Sequence, residues 1–204
     1  RANDVLRENY TQIISAMRLL VDTKDIYTRG HSDRVAYYAV RLAREMGRDE
    51  DFCERLRVAG LFHDIGKIGV PDEILFKDGR LTDEEYAKIK EHPANGARIL
   101  SSLSRFQPIV PIVRAHHERM DGKGYPDGLR GEQIPLEARM IAVADSYDAM
   151  TSNRRYRSSL GQDRAVGELI AGKGSQFDAT LVEVFLRVLQ DKQRLQKDLA
   201  DLEE

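Results

Sequence analysis

Apolar residues recur along this chain at helical spacing almost from end to end, and that periodicity restricts it to an all-α fold. Residues 4–21 place Val5, Leu6, Tyr10, Ile13, Ile14, Met17, Leu20 and Val21 on one stripe, the recurrence expected of a helix with one buried face. After Tyr27-Thr28-Arg29-Gly30 the pattern predicts a second helix to Met46. Gly47 is placed to stop it, because glycine takes left-handed backbone without penalty. A third helix is expected from about Asp51 to Asp64, followed by the Gly-rich segment from Ile65 to Gly69. Thr82 and Glu85 form a capping box for the next helix, which assigns Glu85 to capping rather than to chemistry. Pro93 suits the first turn of another helix. Pro108 and Pro111 bracket the start of one expected to carry His116 and His117. The stretch from Asp121 to Ile134, with repeated glycine and Pro126, cannot be helical. Helix resumes over Pro135–Thr151 and again from about Ala179 to the end. No segment alternates as a strand would, and there is no internal repeat.

Charge narrows the functions available. Thirty-two basic residues nearly balance thirty-four acidic ones, so no global field draws the chain to long nucleic acid or to a membrane surface. No apolar run approaches the roughly 20 residues that span a bilayer. The single cysteine, Cys53, excludes an internal disulfide and suits a reducing cytoplasm. Cys53 itself reads as a small apolar residue buried on a helix. The chain begins at Arg1 and enters a helical pattern at once. It is therefore expected to be part of a longer protein, with a sensory or receiver domain upstream.

Histidine and aspartate carry the chemistry. His31 stands at a helix start, His63 beside Asp64 at a helix end, and His92 just before a proline. His116 and His117 are adjacent, so on a helix they would diverge by about 100° and serve different neighbours. Asp145 lies within the apolar run Ile141-Ala142-Val143-Ala144, where an unpaired carboxylate is costly to bury. A metal ion would offset that cost. Any one of these residues alone reads as an ordinary core or surface side chain, so the argument rests on the set. Imidazole and carboxylate together suit iron, manganese, nickel or zinc rather than a magnesium-only site.

His31, His63-Asp64 and Asp145 resemble the metal signature of the HD-domain phosphohydrolase superfamily. The longer run resembles its HD-GYP branch: His63-Asp64-Ile65-Gly66-Lys67, His92, His116-His117-Glu118-Arg119 and Asp121-Gly122-Lys123-Gly124-Tyr125-Pro126. The resemblance covers the chain from about Tyr27 to Phe185. It implies an HD-domain helical bundle with an extended Gly-Tyr-Pro loop. The connecting helix would occupy residues 1–24, the catalytic domain 25–187 and a C-terminal helix extension 188–204. The branch is known for hydrolysing cyclic di-GMP to linear pGpG or onward to GMP.

Carried over residue by residue, the resemblance implies that His31, His63, Asp64 and Asp145 hold a first metal. Asp64 would bridge to a second, completed by His92, His116 and His117. Two such ions about 3.5–4 Å apart can share a hydroxide that attacks phosphorus in line with the leaving oxygen. Lys67 is expected to reach the same phosphate as a compact positive charge, Tyr125 to shape the cleft, and Asp148 to contact substrate, assist the leaving group or instead orient a neighbouring lysine or arginine. Arg154 and Arg157 match positions that contact guanine. Arg155 and Met120 depart from the family, which usually has proline and often has tryptophan there. Some members hold three metals through a glutamate one turn before the first histidine. Tyr27 occupies that place here, so two ions, iron or manganese first, are expected. The terminal helices are expected to form a homodimer. The rival readings are a hydrolase of another cyclic dinucleotide, a non-catalytic cyclic di-GMP receptor and a di-iron redox protein. The intact ligand set disfavours the receptor, and Lys67 disfavours the redox protein.

Overall fold

The structure, a computed structural model, describes residues 12–19, 24, 30–152, 159–191, 195 and 198–200. Ten α-helices run through the described residues: α1 (12–19), α2 (His31–Glu45), α3 (Glu50–Phe62), α4 (Asp72–Leu75), α5 (Asp83–Ile89), α6 (His92–Ser101), α7 (Val110–Ala115), α8 (Leu136–Thr151), α9 (Gln162–Ala171) and α10 (Ala179–Val188). Short 3-10 helices occupy Ile65–Gly69, Ser104–Ile109 and Gly131–Gln133. Among the described residues there is no strand, only one isolated bridge between Lys173 and Phe177. The all-α expectation holds.

The core is built on α2, which packs chiefly against α3 and α8. Val35, Ala39, Leu42 and Ala43 of α2 are fully buried, and each large apolar side chain so buried contributes roughly 1.5–3 kcal/mol. Tyr38, Tyr147 and Phe185 join α2, α8 and α10 through edge-on contacts, with centroids 5.3–5.8 Å apart. Ile14 of α1 is buried in the same core and Met17 packs against it. Ile13 and Leu19 of that helix stay exposed.

Most helix boundaries follow the sequence signals. Gly47 takes the left-handed backbone that ends α2, and Thr82 with Glu85 closes the capping box of α5. Three points differ. Helix α3 stops at Phe62, not Asp64, because His63 and Asp64 turn out of it to face other helices. The helix expected from Ala179 to the end of the chain stops at Val188, with Leu189 as its cap. Helix α9 carries too weak a stripe to be seen, with only Ala165 and Leu169 buried. Residues 24, 195 and 198–200 are also helical, and residues 1–11, 20–23, 192–194, 196–197 and 201–204 lie outside the described residues.

Candidate metal centre

Five histidines and two aspartates converge from five places in the chain. His31 opens α2, His63 and Asp64 follow α3, His92 opens α6, His116 and His117 follow α7, and Asp145 stands on α8. The adjacent histidines correct the expectation that they ride one helix and diverge. Helix α7 ends at Ala115, both lie in the turn beyond it, and their rings are 4.1 Å apart. They therefore serve the same cluster.

The donors sort into two groups. Asp64, His92, His116 and His117 form one, and His31, His63 and Asp145 the other, with the donor atoms of each group within 4.8 Å of one another. Asp64 touches both. Its Oδ1 lies 3.2 Å from His92 Nε2, while its Oδ2 lies 3.5 Å from His63 Nε2 and 4.0 Å from His31 Nε2. His31 Nε2 also meets Asp145 Oδ1 at 3.2 Å.

Four of the imidazoles are oriented by their other nitrogen. His63 Nδ1 donates to Gly60 O at 2.7 Å, His92 Nδ1 to Ile89 O at 2.8 Å and His116 Nδ1 to Val113 O at 2.6 Å. His31 Nδ1 donates to Asp148 Oδ2 at 2.7 Å. An oxygen that only accepts forces the proton onto Nδ1, which leaves the Nε2 lone pair aimed into the cluster. His63 Nε2 is buried and has no hydrogen-bond partner. A buried nitrogen left so is costly, and a cation among these donors removes the cost. The donor set and this orphaned nitrogen both fit divalent transition metals.

Electrostatics points the same way. Burial depresses the His116 pKa well below its ordinary value, and neighbouring His117, His63 and His92 depress it further. Burial likewise holds His117 down to about 4. These rings stay neutral, the state in which imidazole is a ligand. Burial alone would also lower His31, but hydrogen bonds to Asp145 and Asp148 outweigh it and lift it to about 9, so its Nε2 holds a proton toward Asp145 that a cation would have to displace. Burial pushes the Asp64 carboxyl up, yet Lys67, His63 and His92 together hold it well below the usual carboxylate range.

Two residues expected at the substrate are bonded to members of the cluster. Asp148 is 2% exposed and is consumed by His31 and by Arg34, whose Nε and Nη2 donate to it at 2.6 and 3.1 Å. These contacts agree with the reading in which Asp148 orients a neighbouring arginine, and they place it behind the His31 ring. Arg34 was invisible as a site residue because its partner lies 114 residues away. Its place one helical turn after His31 was the only signal. Lys67 Nζ donates to Asp64 Oδ2 at 2.6 Å, so its charge is spent on a donor of the cluster.

The cluster opens on a cleft of about 540 Å³ lined by His116, His117 and Asp145, members of both groups. Tyr125 lines it too, its ring 4.9 Å from that of His117 and tilted by 31°. Gly124 lets the loop lie this close, since a Cβ there would come within 2.5 Å of Arg119 N and Glu118 Cα. Glu118, buried at 4%, accepts from Asp127 N at 2.7 Å and ties the loop down. Tyr86, Lys90, Ser146 and Gln176 also face the cleft, and sequence reasoning passed over all four. Arg154, Arg157 and Tyr27 lie outside the described residues.

A helical bundle whose helix ends deliver histidines and aspartates into one buried cluster defines a class of metal-binding helical domain. The chain belongs to the HD-domain family, whose model, described as HD domain, matches residues 15–181. It is 39% identical over 194 residues to a cyclic di-GMP phosphodiesterase of Thermotoga maritima, covering 92% of this chain and 52% of that protein. It is 42% identical over 154 residues to 3'3'-cGAMP-specific phosphodiesterase 3 of Vibrio cholerae, covering 76% and 34%. A solved structure of an HDG"Y"P protein from Bdellovibrio bacteriovorus shares the fold, with a TM-score of 0.69 at 21% identity over 90% of this chain and 64% of that one. The chain spans about half the length of the Thermotoga relative.

Proposed function

We propose that this chain is a metal-dependent phosphodiesterase of the HD-GYP kind, which cuts cyclic di-GMP to linear pGpG and more slowly to GMP. The observation that carries the reading is Asp64, whose two oxygens face two separate donor groups beside one cleft. His31, His63, Asp64 and Asp145 would hold one ion. Asp64, His92, His116 and His117 would hold the other. Iron or manganese suits the set, and nickel or zinc is compatible with it. Bound there, divalent ions would neutralise charge on the phosphoryl oxygens and make a nucleophile available at neutral pH.

The protein's own part is positional. Asp148, braced by the Arg34 fork, fixes the His31 ring. Lys67 keeps Asp64 ionised and directed. Tyr125 covers His117 and narrows the cleft. Arg154 and Arg157 would read the guanine edge, for which a planar guanidinium is suited.

The test is to incubate metal-analysed protein with cyclic di-GMP and with 3'3'-cGAMP and to resolve the products. Conversion of cyclic di-GMP to pGpG supports the reading, and no turnover of either compound overturns it. Preferred turnover of 3'3'-cGAMP would favour the second reading, a hydrolase of another cyclic dinucleotide, which the Vibrio cholerae relative supports.

The same reading includes a homodimer through the terminal helices, supported by the exposed Ile13 and Leu19 of α1. It also includes an upstream sensory or receiver domain, and a cytoplasmic location supported by the lone reduced Cys53. No helix among the described residues is long and apolar enough to cross a membrane.

A further inference from the structure

Helix α5 is unusual in this bundle because none of its residues is buried. Its place is kept by the Thr82–Glu85 capping box and by Lys77, whose ammonium donates to both Glu85 oxygens at 2.7–2.8 Å. An amphipathic helix ordinarily spends its large aromatics on the core. Here Tyr86, the only aromatic of α5, is 47% exposed and lines the cleft that the metal cluster opens on. Packing does not account for it.

Lys90, which also lines the cleft, sets its ammonium 5.1 Å from the centre of the Tyr86 ring. The contact attracts electrostatically and restrains the ring without burying it. Tyr86 and Lys90 precede the cluster histidine His92 by six and two residues, so the short connection ties them to the cluster. Of the other aromatics that line the cleft, Tyr125 has its ring against His117 and Phe177 is buried. Tyr86, with Lys90 beside its ring, is thus the most exposed aromatic of the cleft and the one a ligand reaches most fully.

From this we infer that Tyr86 is a stacking platform for a nucleobase attached to the phosphodiester, with Lys90 beside it for the sugar-phosphate charge. Every base offers a π-face, so a lone aromatic binds bases with little regard to which one it meets. The compact ammonium of Lys90 adds attraction for phosphate without geometric selection. The pair therefore makes the ligand class nucleotidic and leaves the choice between guanine and adenine to other residues. The inference deepens the phosphodiesterase reading and rests on it only for the identity of the nucleotide.

The test is binding to the metal-loaded protein, measured by calorimetry for pGpG and for ribose 5-phosphate, a sugar phosphate that carries no base. Tyr86→Ala should weaken pGpG about tenfold, toward the low end of what loss of one aromatic costs a bound base, and leave ribose 5-phosphate unchanged. Tyr86→Phe should restore wild-type affinity, because it keeps the ring and loses only the hydroxyl. Lys90→Gln should weaken both ligands. Metal content and helicity of each variant are checked in parallel, and α5 contributes no core residue whose loss would unfold the domain. Equal affinity of wild type and Tyr86→Ala for pGpG would overturn the inference. So would equal weakening of both ligands by Tyr86→Ala, or a wild type that binds pGpG no better than ribose 5-phosphate. Absence of cyclic di-GMP turnover would refute the catalytic reading while leaving this binding comparison decisive on its own.

Discussion

Replacing Asp148 by asparagine keeps the shape of the side chain and removes the acceptor that two neighbours depend on. In the structure one carboxylate accepts from His31 Nδ1 at 2.7 Å and from Arg34 Nε and Nη2 at 2.6 and 3.1 Å. An amide can keep one of these contacts through its oxygen, but its NH2 then meets another donor. If the His31 contact is lost, the ring is free to turn and its Nε2 lone pair is less basic. Loss of such an outer partner typically lowers metal affinity 10–100-fold, about 1.4–2.7 kcal/mol. The Arg34 side chain is 18% exposed, so water compensates part of its loss. We expect a stability cost of about 1–2 kcal/mol, or a melting temperature lower by about 2–8 °C for a domain of this size. The assay is titration of apo-protein with manganese, followed by turnover at limiting and at saturating metal. Activity should fall at limiting metal and recover substantially at saturation. Arg34→Lys should show a smaller defect in the same direction. A variant with wild-type metal affinity and wild-type turnover at limiting metal would refute the positioning role of Asp148.

Asp64→Ala should abolish hydrolysis and lower metal content while circular dichroism stays helical, and unchanged turnover at unchanged metal content would contradict a shared carboxylate. Gly66→Ala should cost about 3 kcal/mol or more and displace His92, because its Cβ would fall 1.9 Å from His92 O, a backbone atom that cannot swing aside; a thermal melt and metal analysis check both effects. Metal analysis after anaerobic loading with excess iron should give two ions per chain, and three well-occupied ions would show that a residue other than Tyr27 completes a third site. Metal-free protein should lose thermal stability as pH falls from 7 to 5. Burial lowers His63, His116 and His117, so their contribution is present above the free-histidine value of 6.5 and is lost as they are forced to protonate. His31, lifted to about 9, has the opposite sign: its contribution is complete below 6.5 and lost as pH rises through 9. From pH 7 to 5 the His31 contribution is already nearly complete, so the other three set the direction, and a flat melting profile in chelator would show that the burial costs are not as described.

What sequence alone could reach was decided by range. The capping box at Thr82 and the stop at Gly47 are local chemistry, written in adjacent residues, and both appear in the structure. The histidines and aspartates were visible as a set because their residue types and order resemble a family. Their grouping was not: Asp64 meets His92 and His31 across helices whose packing depends on the whole core. The partners of Asp148 were hidden for the same reason. Its carboxylate looked available because its partners, His31 and Arg34, are more than 110 residues upstream. Tyr86 was hidden differently, since an aromatic on an amphipathic helix is ordinarily a core residue, and only the absence of burial along α5 marks it.

The histidines of this cluster sit at helix ends, whereas Asp145 projects from within α8, and the helix-end placement has a physical cause. The last carbonyls of any α-helix have no partner within it. Gly60, Ile89 and Val113 lie in the final turns of α3, α5 and α7, and each gives its carbonyl to the Nδ1 of a histidine three residues on. One hydrogen bond thus satisfies a helix terminus, fixes the imidazole tautomer and aims Nε2 inward. A histidine in mid-helix could do none of this, because the carbonyls around it are already taken. The arrangement couples fold and chemistry. Replacing any of the three by alanine removes a donor of the cluster and leaves a buried helix terminus unsatisfied. An asparagine that restores the carbonyl contact would recover stability without recovering the aimed nitrogen.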